Sequence, residues 1–160
     1  MKSGIEILLD DRQKRTRISR ARLIRWTEGL LKCLGWKRVS LSLVLVNEAQ
    51  IQQLNRRFMG ENSPTDVLAF GQTQAPVLGS RRPFLGDVVV SIETAKRLAP
   101  RFGNHWDEEC LLYVCHGILH LMGYRDSTPK KKAQMDKRQL EVLRKVLGKK
   151  WRSKKRKPLF

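Results

Sequence analysis

The chain has 160 residues, enough for one domain with a sizeable core and no covalent staples. Its 33 lysines and arginines against 15 aspartates and glutamates give a formal net charge of +18 and a sequence pI near 10.6, so polyanions, nucleic acid first among them, are the expected partners. No apolar run approaches the ~20 residues of a spanning helix, and Met1-Lys2-Ser3-Gly4-Ile5-Glu6 lacks the apolar stretch of a signal peptide; the reading is of a cytoplasmic protein with no membrane partner.

Ile5, Ile7 and Leu9, with Leu8 between, predict a short, largely buried first strand closed by Asp10-Asp11. Leu23, Ile24, Leu30, Leu31 and Leu34 recur at helical spacing between Ser19 and the stop at Gly35. Val39 to Val46 alternates as a strand, and Asn47 caps a helix that runs through Gln50, Leu54 and Phe58 to Gly60. Thr65 to Phe70 reads as a short extended segment, and Gly71 to Pro83, punctuated by glycine and proline, as a surface loop. Val88-Val89-Val90 predicts a buried strand, and Ser91 caps a helix to about Leu98, with Pro100 beyond it.

Two helices follow, about Asp107 to Met122 and Pro129 to Leu147. Cys33, Cys110 and Cys115 are an odd set with no pairing pattern and read as reduced thiols in apolar helix faces. The mixture of elements points to an α+β or α/β layer fold, and the reading adopted is α+β, a small mixed β-sheet flanked by helices. Residues 1–148 form one domain and residues 149–160 a basic tail with Lys149, Lys150, Arg152, Lys154, Lys155, Arg156 and Lys157.

The informative segment is Cys115 to Asp126, which holds two of the three histidines. Residues four apart on a helix share a face, so His116 and His120 can reach one divalent ion. Gly123 can end the helix and turn the chain back, bringing Asp126 to the same ion. Two nitrogens and one carboxylate leave a fourth position for water, the donor set of a catalytic zinc site. The plainer alternatives are a pair of ordinary histidines on a half-buried helix and an Asp126 that caps the next helix in competition with Ser127 or Thr128. His105, outside the cluster, reads as a cap or a solvent-exposed side chain. Glu109 lies about two turns, roughly 10 Å, from His116, too far for a direct ligand. A metalloprotease would carry glutamate after the first histidine as general base; here that position is Gly117, which disfavours proteolysis of that type.

Three ordered blocks carry a resemblance: Leu54-Asn55 with Pro64-Thr65-Asp66-Val67-Leu68-Ala69-Phe70, then Leu85 to Ala95, then His116 to Tyr124. Through them the chain resembles the YbeY family of bacterial single-strand-specific endoribonucleases. That resemblance implies a small mixed sheet flanked by helices with the metal in a cleft, and an activity in ribosomal RNA maturation and ribosome quality control. It also implies single-stranded RNA, ribosomal RNA or a ribosomal subunit as partner. The family usually ends its motif Asp-His, where this chain has Arg125-Asp126, and commonly carries arginine where Met59 stands. Arg56 and Arg57 are the candidates to take over that phosphate contact.

One divalent ion, zinc by its donors, is the expected cofactor. The sequence does not identify a general base: Thr65, Asp66 and Glu93 are the polar candidates near the motifs, and each reads equally as a turn or capping residue. The basic tail is expected to contact RNA phosphates, with Trp151 either stacking on a base or packing on the preceding helix. The competing functions are a non-catalytic ribosome- or RNA-binding factor with the same fold and a metallohydrolase of a smaller substrate.

Overall fold

The computed structural model describes residues 4–71, 82–149 and 151. Four strands, β1 (Ile5–Asp11), β2 (Val39–Val46), β3 (Val67–Gly71) and β4 (Phe84–Ser91), form one sheet in the order β1-β2-β4-β3. The first three in that order run parallel, and β3 pairs antiparallel with β4. Five helices cover it: α1 (Arg20–Cys33), α2 (Glu48–Met59), α3 (Ile92–Leu98), α4 (Trp106–Leu121) and α5 (Pro129–Leu147). The fold class is therefore the expected α+β arrangement with a mixed sheet.

The alternation of β2 decides the layering, since a strand sends successive side chains to opposite faces. Val39, Leu41, Leu43 and Leu45 are wholly buried on the face covered by α1 and α4, within the main core. Val46 points the other way and joins Ile51, Leu68 and Val89 in a smaller core beneath α2. β4 splits likewise, with Val88 and Val90 in the main core and Val89 in the smaller one. α2 and α4 thus lie on opposite faces of the sheet.

Two strands differ from expectation. β1 is not largely buried: only Ile5 is, while Leu8 is 50% exposed. It is an edge strand, covered on one face, so its apolar residues alternate between core and solvent. β4 begins at Phe84, four residues before the valine run, because Gly86-Asp87, which look like turn residues, pair in register with Gly71 and Phe70 of β3. α3 ends at Leu98 with Pro100 beyond it, as expected, and Pro100 lies in the 3-10 turn (Ala99–Phe102) that follows, at an initial-turn position where its missing N–H costs nothing.

Helix ends follow their caps. Ser19 accepts from Arg22 N at α1, Asn47 and Gln50 form a reciprocal box at α2, Ser91 caps α3, and Thr128 accepts from Lys131 N with Pro129 next at α5. α4 is the central element, with every residue from Glu109 to Leu119 buried except His116. Cys110 and Cys115 lie there as free thiols, and burial pushes the Cys115 thiol up to about 12 and that of Cys110 higher still, so both are small inert core groups.

Trp151 packs into the main core, its carbonyl accepting from Arg144 Nε at 3.2 Å, which resolves its two readings in favour of packing. Most of the expected 71–83 loop, residues 72–81, lies outside the described residues, as do Lys150, Arg152, Lys154, Lys155, Arg156 and Lys157. Lys149 is described and exposed. Among the described residues no helix is long and apolar enough to cross a membrane.

Candidate metal centre

α4 packs on β3 and β4 through Gly117. A Cβ there would lie 2.8 Å from Val88 Cγ1 and 3.3 Å from Val67 Cγ2, so the helix approaches the sheet as closely as only glycine permits. The position where a metalloprotease keeps its glutamate therefore faces packed valines. His116 and His120 flank this contact on the side of α4 that remains half exposed.

After Leu121 the chain reverses at Gly123, whose φ of 100° lies in the left-handed region. The Gly123 N–H donates to His120 O and the Tyr124 N–H to Leu119 O, both at 3.0 Å, closing the helix. Arg125 then donates from its guanidinium to the carbonyls of His120 (3.1 Å) and Tyr124 (2.9 Å). The turn carries Asp126 back to the histidines, with its Oδ2 3.6 Å from His116 Nε2 and 3.5 Å from His120 Nε2. Capping of α5 falls to Thr128, leaving the Asp126 carboxylate free of that duty.

The two Nε2 atoms are 3.0 Å apart. Each ring's other nitrogen meets a carbonyl oxygen: His116 Nδ1 faces Gln139 Oε1 and His120 Nδ1 faces Tyr124 O, both at 3.1 Å. An amide or peptide oxygen only accepts, so each Nδ1 carries the proton and each Nε2 presents a lone pair to the shared space. Burial first, and the neighbouring His120 second, hold the His116 pKa below its ordinary value and favour the neutral, ligand-competent ring.

Two lone pairs and a carboxylate facing one another repel unless a cation lies between them. Four ligands at zinc distances in tetrahedral array stand about 3.3 Å apart, and the three edges here are 3.0, 3.5 and 3.6 Å. His116, His120 and Asp126 can thus hold a metal ion, and they are the only three-residue group of that kind among the described residues. Nitrogen-rich donors suit zinc better than magnesium or calcium.

The other candidates lie elsewhere. Glu109 is buried and accepts from Asn104 Nδ2 at 2.9 Å. His105 stands at the N-cap of α4, where its N–H donates to Glu108 at 3.1 Å and its ring pairs with Asp107 at 2.6 Å. Glu93 accepts from Glu48 N at the start of α2, a capping role. Arg56 and Arg57 end α2 on the far face of the sheet, Arg57 lying over the Phe58 ring, and Met59 beside them is 57% exposed. Sequence reasoning missed Gln139, a polar residue inside the apolar stripe Met135, Val142 and Leu143 of α5. That interruption is the signal that marks it.

The fold and site together define a small α+β protein with a helix-borne cluster of two histidines and one aspartate able to bind a cation. A family model described as Endoribonuclease YbeY matches residues 8–147, and the chain belongs to that family. The Endoribonuclease YbeY of Syntrophus aciditrophicus is 30% identical over 141 residues, spanning 87% of this chain and 88% of its own. That of Pelotomaculum thermopropionicum is 36% identical over 124 residues, 76% of this chain and 82% of its own. The solution structure of a Thermotoga maritima protein superposes with a TM-score of 0.60 at 29% identity, covering 91% of this chain and 90% of that one. Family membership supports an endoribonuclease role.

Proposed function

We propose that the chain is a metal-dependent, single-strand-specific endoribonuclease of the cytoplasm that acts in ribosomal RNA maturation and ribosome quality control. Residues 1–148 constitute its hydrolase domain and residues 149–160 a basic RNA-contacting tail, anchored to the domain by Trp151. The observation that carries the reading is the convergence of two oriented Nε2 lone pairs and the Asp126 carboxylate at zinc-like spacings. His116, His120 and Asp126 hold the ion, and Gln139 and the Tyr124 carbonyl fix the two rings. When bound, zinc supplies a positive charge for the phosphoryl oxygens and acidifies water. Arg56, Arg57 and the tail supply phosphate contacts that position a strand without reading its bases.

Metal analysis of the purified chain, then incubation with single-stranded and duplex RNA with and without chelator, tests this reading. The expected result is about one zinc per chain and cleavage of the single strand alone, abolished by chelator and by His120→Ala. Cleavage that survives chelation and His120→Ala overturns it. The second reading, a ribosome- or RNA-binding factor that does not cleave, is favoured by one feature: Met59 is exposed at the position where the family commonly has arginine. Tight, salt-sensitive binding of RNA that is never cut decides for it.

A further inference from the structure

Among the described residues the positive charge is densest in one segment outside the metal centre. Seven of the fourteen residues from Arg12 to Arg25 are lysine or arginine and none is acidic, and all seven are exposed. They occupy the loop between β1 and α1 and the first turns of α1. The loop is a built structure: the buried Gln13 side chain donates to Asp11 Oδ1 (3.0 Å) and Thr16 O (2.7 Å) and accepts from Thr16 N (2.9 Å). Arg15 and Arg17 have no ion-pair partner among the described residues.

Beside this ridge a cavity of about 200 Å³ opens between α1 and the start of α4, lined by Arg17, Arg22, Trp26, Trp106 and Asp107 among others. Arg22 lies over the Trp26 ring and Lys96 over that of Trp106. Asp107, the cavity's one carboxylate, is paired with Arg22 at 2.9 Å and lies 2.6 Å from the His105 ring. The concavity therefore combines aromatic walls, cationic edges and a polar group able to meet a base edge.

We infer that this ridge and cavity form a second RNA-binding surface, in which phosphates of a single strand run along the basic loop and one unpaired base enters the cavity lined by Trp26 and Trp106. Bases stack on aromatic rings whatever their identity, and arginines track the backbone, which together are the requirements of single-strand binding. An anionic bilayer fits the same charge but not the same shape. The apolar residues Leu23, Leu30 and Leu31 of α1 are already buried in the core, which leaves no apolar face for the acyl region. Along α4 the cavity residue Asp107 precedes His116 by nine residues, about 13 Å of helix rise, so this surface would grip the strand away from the metal centre. The inference deepens the endoribonuclease reading and rests on it for the choice of RNA.

The test is binding of a fluorescein-labelled unstructured oligouridylate to the full chain in chelator, followed by anisotropy across a salt series. Arg15→Gln/Arg17→Gln is expected to lose roughly tenfold in affinity at moderate salt and to lower the salt slope by about 1.4, the contribution of two single-strand phosphate contacts. Lys32→Gln/Lys145→Gln, the same charge change elsewhere, should lose far less. Trp106→Leu should weaken binding about five- to a hundredfold. Equal losses in the two double variants, an unchanged Arg15→Gln/Arg17→Gln, or tight uptake by phosphatidylserine vesicles with no RNA binding each overturn the proposal. Because binding is read in chelator, a parent protein that binds but never cleaves counts against the proposed activity alone. A parent that cleaves while Arg15→Gln/Arg17→Gln binds normally counts against this surface alone.

Discussion

Gly117→Val tests whether the metal centre depends on the closeness of α4 to the sheet. The added Cβ falls 2.8 Å from Val88 Cγ1, and Val88 is fully buried with a stiff, branched side chain that cannot swing aside. Overpacking of this kind costs ~1–3 kcal/mol, and two further methyl groups place this case at the upper end. Replacing glycine in a helix returns only a few tenths, since valine is a modest helix former at ~0.3–0.4 kcal/mol better than glycine. The net expectation is a loss of about 2–3 kcal/mol, or roughly 5–10 °C in Tm for a domain of this size. Urea denaturation measures it. The displaced turn carries His116, so zinc retention should fall too. Val88→Ala opens the space again, and the double variant should be at least ~1 kcal/mol more stable than the two single losses predict by addition. Gly117→Val within ~0.5 kcal/mol of the parent, or strict additivity with Val88→Ala, refutes the reasoning.

Gln139→Leu removes the acceptor on His116 Nδ1 and should weaken zinc binding about 10- to 100-fold with the fold intact, measured by competition with a chromogenic chelator; unchanged affinity removes Gln139 from the site. Deleting residues 152–160 should flatten the salt dependence of RNA binding alike for unrelated RNAs, with little change in Tm. Deleting from Gly148 onward also strips Trp151 from the core and should cost about 3 kcal/mol more; equal melting temperatures for the two truncations refute this. In ion-free protein the pKa of His116 lies below the ordinary 6.5 because of burial and then His120. The unfolded chain therefore binds more protons between the two values, and stability is lost as the pH falls from 6.5 toward the folded pKa. The stability gap between the parent and His116→Gln should shrink over that window in chelator, and a gap independent of pH contradicts the assignment.

Local signals were sufficient where a structure is decided locally. α5 runs from Pro129 to Leu147 as expected because Thr128 caps it, Pro129 opens it and Gly148 follows it. The reciprocal box of Asn47 and Gln50 did the same for α2. What the sequence did not carry is neighbourhood. Nothing in Ile5 to Leu9 says that β1 lies at the edge of the sheet, so its apolar residues look alike whether they face the core or the solvent. Gly86-Asp87 looked like punctuation, yet Gly86 lies within the strand, where an added Cβ would collide with the Phe70 carbonyl. The metal candidates were legible from helical spacing and a glycine turn. Gln139, thirteen residues beyond Asp126, reaches His116 only through the packing of α5 on α4.

The exchange at Arg125-Asp126 is best understood as a joint change. The family usually has Asp-His there, one negative and one neutral group; this chain has one positive and one negative. In the proposed site the carboxylate moves into the ligand set, which lowers the charge of an ion with its ligands by one unit relative to three histidines. Arg125 lies one residue away, with its guanidinium on the His120 and Tyr124 carbonyls. With family aspartate replaced by arginine, the pair sums to zero here and to minus one in the family pattern, so the surroundings of the centre gain the charge that its ligand set lost, and more. An approaching phosphodiester responds to the summed field and not to the ligands alone. Arg125 also shares the Tyr124 carbonyl with His120 Nδ1, so it bears on the orientation of one ligand as well as on charge. Asp126→His alone should therefore leave a more cationic centre than either this chain or its family, whereas Arg125→Asp/Asp126→His restores the family balance. RNA affinity should rise for the single variant above both the parent and the double, measured in zinc at low salt, where the field is least screened. An affinity that does not differ among the three proteins separates the two positions and refutes compensation.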